Sequence, residues 1–288
     1  MIISKEDIRN KILLFNKNGI LKGLTSNERL DCLISQIMDS IERVNRTSNP
    51  HNTYFNPICL AKVCKEEGDI DEACFLSFIS THFGEDENNT RWNHVHNVYY
   101  GLGSTPHWTW QKTSSDIMGF CQWIQLNKDV LQANGRFGNH RKYEKLDGHT
   151  GKTITSYIDW IGKSHINHFT SIQYQVGANP HILFDALYKS MDRVWRFGRT
   201  ARFDYLCLLG KLKILNIEPG HPYLYDATGP LVGAKLLFGG RNTHTLNNQL
   251  RKLGECFDLY FSQQVIEDAV CNWQKSPDNF ISFLPATY

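Results

Sequence analysis

Residues 193–240 read RVWRFGRTARFDYLCLLGKLKILNIEPGHPYLYDATGPLVGAKLLFGG. Arg193 and Arg196 close one helical pattern, and Gly198-Arg199-Thr200-Ala201 punctuates it. An apolar run then continues to Gly210. A Pro/Gly-rich connection leads to a lone carboxylate, Asp226, ahead of a second apolar run over 228–238. Apolar residues recur here at spacings of three and four, which marks helices rather than alternating strands. A basic turn followed by a single acid is also a chemical pattern. It suits a protein that grips a nucleic-acid backbone and works beside it.

The same helical reading extends outward in both directions. Residues 4–17 form a short helical pattern. Thr25-Ser26-Asn27-Glu28 is a capping box opening a helix with the stripe Leu30, Leu33, Ile34, Ile37, Ile41 and Val44. The polar run 45–52 reads as a linker, and Asp69 or Asp71 caps a helix running to about Phe83. The acidic stretch 84–90 reads as a loop. A helix is expected over 114–134, and a basic, glycine-punctuated loop over 134–152. Further helices are expected at 153–162, 165–175, 181–196, 200–210, 228–238, 245–257 and 262–274. The fold class is therefore all-α, with an N-terminal helical region over 1–50.

Composition narrows the function classes. The chain has 288 residues, 41% hydrophobic and 21% charged, enough for a substantial core in an ordinary globular protein. No long uncharged apolar window is present, so a membrane span is not expected. The N-terminus, MIISKEDIRNKILLF, lacks the layout of a signal peptide, and the expected compartment is the cytoplasm. The eight cysteines include no CxxC pair and read as buried free thiols, with no metal expected. The spacing of Cys59, Cys64 and Cys74 matches no common zinc pattern. Net charge is only +2, yet residues 136–275 carry 18 Lys/Arg against 12 Asp/Glu, while 1–135 carry 13 against 16. A polyanion suits the basic half.

Two elements carry candidate chemistry. At Gly198, a glycine able to take positive φ precedes a helix start whose free N–H groups and positive end could bind a phosphate, helped by Arg196, Arg199, Thr200 and Arg202. An αα-hairpin with a solvated basic face accounts for the same residues equally well. At Asp226, a carboxylate at a helix mouth could stabilise an oxocarbenium-like sugar or orient a water. A plain helix cap is the other reading, and taken alone it is the commoner fate of such an aspartate.

Gly198-Arg199-Thr200-Ala201…Leu209-Gly210, then Asp226, then Val232…Lys235-Leu236, resembles the helix-hairpin-helix DNA glycosylase superfamily. The hairpin lacks the usual Leu-Pro-Gly-Val-Gly, and the connection to the aspartate, 211–225, is long. The runs FGRTARFDYLCLLGKL, YDATGPLVGAKLLFGG and IEDAVCNWQKSP look more closely like the alpha-glutamyl/putrescinyl-thymine pyrophosphorylase group of that superfamily. Its members resemble enzymes of phage base hypermodification, and its relatives include bacterial anti-phage glycosylases acting on glucosylated hydroxymethylcytosine.

The resemblance implies a helix-hairpin-helix glycosylase-like fold over 51–288 in two helical lobes. Asp226 is then the catalytic carboxylate with Lys235 in support. Gly198, Arg199 and Thr200 clamp DNA, flanked by Arg196 and Arg202. Arg199 and Thr200 stand where strand-cutting relatives carry a lysine, which favours a hydrolytic, monofunctional glycosylase. A flipped base needs aromatic stacking and polar contacts, and Trp108, Trp110, Tyr223, Tyr225, Asp268 and Asn272 are the pocket candidates. His94, His96 and His107 are further polar candidates, with buried or surface roles the plainer reading. The implied partner is double-stranded DNA with modified bases, no cofactor is implied, and the product is an abasic site. Two rivals stay open: a phage enzyme displacing pyrophosphate from an activated thymine, and a non-catalytic binding module for DNA or an acidic protein.

Overall fold

The computed structural model describes residues 3–50, 55–86, 90–138, 144, 146 and 148–284. Among them are fourteen α-helices and no strand, so the fold is all-α. In chain order they are α1 (Lys5–Phe15), α2 (Asn27–Ser48), α3 (Pro57–Glu66), α4 (Ile70–Phe83), α5 (Asn93–Tyr99), α6 (Trp110–Ser115) and α7 (Ile117–Asn134). Then come α8 (Gly148–Ile161), α9 (His165–Val176), α10 (Pro180–Ser190), α11 (Arg199–Lys211), α12 (Gly229–Phe238), α13 (Thr243–Glu255) and α14 (Ser262–Trp273).

The chain divides into two compact units. A terminal unit joins Met1–Ser48 to Glu218–Tyr288, and a middle unit comprises Asn49–Ile217. The first 48 residues, which the sequence sets apart as an N-terminal region, pack with the C-terminal segment.

In the terminal unit α14 is the hub, flanked by α2, α12 and α13. Trp273 is fully buried at its end and donates its indole N–H to the Arg29 carbonyl at 3.2 Å. Gly233 of α12 lets that helix press onto α14, because a Cβ there would drive into the Val270 carbonyl. The α2 cap falls one residue later than the predicted box: Ser26 Oγ accepts the Arg29 N–H at 3.3 Å. The helix also runs on to Ser48, through the first residues of the expected linker. Residues 51–54 of that stretch lie outside the described residues.

The middle unit is organised on α4, which is buried on nearly every side and packs against α3, α9 and α11. A helix apolar all round belongs in a core. Asp69 caps it, accepting the Glu72 N–H at 3.0 Å. Helix α3 was not predicted, although its start is legible: Asn56 caps it with Oδ1 accepting the Ile58 N–H at 2.9 Å, and Pro57 opens the first turn. The expected 114–134 helix is two, α6 and α7, because Asp116 ends one and caps the other through the Gly119 N–H at 3.0 Å. The expected 181–196 helix stops at Ser190 and gives way to a single 3-10 turn, Met191–Arg193. Of the basic loop expected over 134–152, residues 139–143, 145 and 147 lie outside the described residues, and 148–152 instead form the start of α8.

Candidate functional site

The residues singled out from the sequence fall in both units. Arg196, Gly198, Arg199, Thr200, Arg202, Trp108 and Trp110 belong to the middle unit. Asp226, Lys235, Tyr223, Tyr225, Asp268 and Asn272 belong to the terminal unit.

In the middle unit the basic turn departs from expectation. Gly198 has φ −72°, an ordinary value, and no neighbour stands where its Cβ would be. The left-handed residue is Arg196, at φ 52°, so the sharp bend comes two residues earlier. Gly198 is the N-cap of α11 and offers no capping side chain. Arg199 is buried, with its guanidinium 4.8 Å from the Phe203 ring. Arg202 pairs with Asp192 and lies 4.6 Å over the Tyr188 ring. Both guanidinium groups are thus engaged in packing the turn. Thr200 is half-buried, and Arg196 is exposed beside Glu144 at 3.7 Å.

Trp108 and Trp110 are core residues. Trp108 packs edge-on against Phe120 at 5.2 Å, and Trp110 lies 4.4 Å from the His165 ring. The Trp110 N–H donates to Glu72 Oε2 at 2.8 Å, and burial raises that carboxyl above its ordinary value. His94 is buried, and burial lowers its pKa to about 4, which keeps it neutral. His96 and His107 pack against Tyr100.

In the terminal unit Asp226 sits at the tip of an anchored loop. Its backbone is left-handed, φ 60°, and Tyr223 three residues earlier is also left-handed, φ 50°. Aspartate tolerates that region better than most side chains, but it still costs about 1 kcal/mol. The loop is held by the Leu224 N–H on Asn247 Oδ1 at 3.0 Å and by the Ala227 N–H on the Leu224 carbonyl at 3.1 Å. Asp226 precedes the α12 N-cap, Thr228, by two residues, so it does not cap that helix. The carboxylate is exposed and has no ion pair or hydrogen bond among the described residues.

The neighbours of Asp226 sort differently. Tyr223 is buried and its ring stacks on His221 at 3.8 Å. Tyr225 is 51% exposed and its hydroxyl meets His244 Nδ1 at 3.1 Å. His244 Nε2 in turn lies 3.1 Å from Asn248 Nδ2. The sequence reading missed this Tyr-His-Asn chain, whose members come from the loop and from α13. Lys235 is exposed in the last turn of α12, roughly 9 Å along the axis from Gly229 at the helical rise.

Asp268 is committed to holding α14 on α2, and Asn272 supports it from within α14. Asp268 Oδ2 accepts from Ser40 Oγ at 2.6 Å and Arg43 Nε at 3.1 Å, while Oδ1 accepts from Asn272 Nδ2 at 3.1 Å. Asn272 Oδ1 accepts from Lys275 at 2.8 Å. The ionic partner of Asp268 is therefore Arg43.

All eight cysteines are free. Burial holds the Cys64 thiol up at about 11 and Cys74 well above its ordinary value, so neither is a ready thiolate. Among the described residues, no three His, Cys, Asp or Glu side chains are grouped to hold a metal ion. No helix of the described residues is long and apolar enough to cross a membrane.

A family model described as alpha-glutamyl/putrescinyl thymine pyrophosphorylase clade 3 matches residues 25–285. No curated protein and no solved structure matches the chain significantly.

Proposed function

Because the chain belongs to the alpha-glutamyl/putrescinyl thymine pyrophosphorylase clade 3 family, we propose that it acts at the N-glycosidic bond of a modified pyrimidine in phage DNA. In this reading it is a monofunctional glycosylase of anti-phage defence that leaves an abasic site. Water adds to C1′ of the sugar, and the base departs with the electron pair of the broken C–N bond and takes up a proton. The observation that carries the reading is Asp226, exposed, unpartnered among the described residues and held in a strained turn ahead of α12.

An exposed carboxylate is screened by water and stabilises a cation weakly. DNA laid over the loop would exclude that water and strengthen the field of Asp226 at C1′. Backbone strain at a surface position is the kind of feature that function maintains. Lys235, at the far end of the helix that follows Asp226, is then a phosphate contact in support of it. The partner is double-stranded DNA, and cytoplasmic action fits that partner.

The name of the family favours a second reading, in which a phage enzyme displaces pyrophosphate from an activated thymine. One experiment separates the two. Matched DNAs carrying cytosine, hydroxymethylcytosine, glucosylated hydroxymethylcytosine and pyrophosphate-activated hydroxymethyluracil are incubated with the wild-type chain and with Asp226→Asn, in the presence of glutamate and putrescine, whose amine would take the place of the departing pyrophosphate. Alkali-labile sites on a modified cytosine, absent with Asp226→Asn, support the glycosylase. Pyrophosphate release with the glycosidic bond intact supports the second reading. Intact DNA throughout, with the two proteins indistinguishable, sinks both.

A further inference from the structure

Of the seven tryptophans, Trp195 is the exposed one, at 41%. Its position follows from the turn that carries it. Val194 and Phe197 on either side are buried and anchor the segment, while the Trp195 N–H donates to Ser156 Oγ at 2.8 Å. The left-handed Arg196 completes the bend. The indole is thereby turned outward on a fixed backbone, and an outward indole leaves a large apolar face in water.

A cation and an imidazole lie against that indole. Lys152 Nζ stands 3.5 Å from the ring centroid, and the His149 ring lies nearly parallel at 6.5 Å, with 26° between planes. His149 and Lys152 are three residues apart on α8 and therefore share a helix face. Arg193 and Arg196 are exposed in the same segment, where Glu144 lies 3.7 Å from Arg196 and Asp192 pairs with Arg202. A flat π surface with a lysine over it and two exposed arginines in the same segment suits a nucleic acid, whose bases stack and whose phosphates pair with Lys and Arg.

We infer that Trp195 is a stacking platform for an unpaired DNA base, with Lys152, Arg193 and Arg196 as its phosphate contacts. The inference rests on the DNA reading above and moves the backbone contact upstream of the predicted clamp. Of the cations that the sequence favoured, Arg196 is kept, while Arg199 and Arg202 are taken up by Phe203, Tyr188 and Asp192. The bound base replaces the Lys152 ammonium on the indole, and the ammonium moves to the adjoining phosphate.

The test compares two probes of equal length and charge, a short oligodeoxythymidylate and the same sugar–phosphate strand without bases. Binding is read by anisotropy, and stacking by quenching of tryptophan fluorescence. Wild type should prefer the base-bearing strand on the order of tenfold, the worth of one stacked base. Trp195→Ala should lose that preference and keep the salt-dependent binding that both strands share. Trp195→Phe, which preserves the fold and a ring, should keep most of the preference yet lose the part of the quenching due to Trp195. The inference is overturned if Trp195→Ala retains the preference, or if Trp195→Phe is quenched as strongly as wild type. Equal binding of both strands by wild type overturns it while leaving the DNA reading intact. Failure of wild type to bind these strands or duplex DNA removes the DNA reading itself. A preference for a polyglutamate competitor over both strands would instead assign the patch to an acidic protein.

Discussion

The phenol oxygens of Tyr157 and Tyr205 meet at 2.8 Å inside the middle unit, where both rings are fully buried. The contact is one link in a longer chain. Tyr157 also lies 2.7 Å from His165 Nε2, and His165 Nδ1 is 2.6 Å from Asp71 Oδ1. Asp71 can only accept as a carboxylate, so His165 donates through Nδ1 and accepts through Nε2. Tyr157 then donates to His165 and accepts from Tyr205. Every proton in the chain points toward Asp71, and α4, α8, α9 and α11 are fastened together by it.

That order ranks two substitutions. Tyr157→Phe strands both the His165 acceptor and the Tyr205 hydroxyl in the core and should cost about 1–3 kcal/mol. Tyr205→Phe leaves Tyr157 bonded to His165 and should cost about 1 kcal/mol or less. Urea unfolding of the two variants measures the difference. Equal losses would mean that the chain is not polarised as assigned.

Acid should weaken the fold through its histidines. Burial lowers His94 and His168 from the ordinary 6.5 to about 4, and burial also lowers His165 against the opposing pull of Asp71. Between those values the unfolded chain binds protons that the folded chain refuses, so stability falls as pH drops from about 6.5 toward 4. Asp71, held below its usual value by His165 although burial opposes it, adds a further loss at still lower pH, as it protonates. Urea midpoints at neutral and mildly acidic pH should show the decline. His94→Gln should make it shallower.

Two glycines should respond oppositely to alanine. Gly233→Ala forces α12 away from α14 and should cost about 3 kcal/mol. Gly198→Ala meets no neighbour and needs no unusual φ, so its effect on stability should stay within about 0.5 kcal/mol. Its effect on DNA affinity is the informative reading. A loss of binding at unchanged thermal midpoint would show that a backbone phosphate needs the room that Gly198 leaves.

Asp226→Gly separates strain from chemistry. Glycine adopts the left-handed turn freely, so the variant should gain about 0.5–1 kcal/mol in stability. Product formation should fall by roughly a hundredfold or more, the usual worth of a positioned charge. Asp268→Ala is the contrasting case. It frees Arg43 and Asn272 and should destabilise α14 on α2 by about 1–3 kcal/mol, with kcat unchanged in the surviving folded fraction.

The helices were largely legible because their signals are local. Asp69 ahead of α4, the stripe of α2 and the apolar run of α11 each declare themselves within a few turns of chain. The Asn56-Pro57 start of α3 is equally local, but the polar run ahead of it masks the signal. The candidate site was legible in part. Asp226 lies ahead of α12 as the order of residues suggested, but its left-handed backbone is set by a loop tied to Asn247, twenty-odd positions away.

What the linear order of residues settles here is composition, helix content and family membership, all carried by short-range patterns. Which cations remain available is a different kind of property. Arg199 and Arg202 look like phosphate contacts beside Gly198, yet Phe203, Tyr188 and Asp192 engage them. Trp195 is turned outward because Val194 and Phe197 beside it are buried. The reason is physical: hydrogen bonds of a helix join residues a turn apart, whereas burial depends on side chains far off in sequence that pack against it.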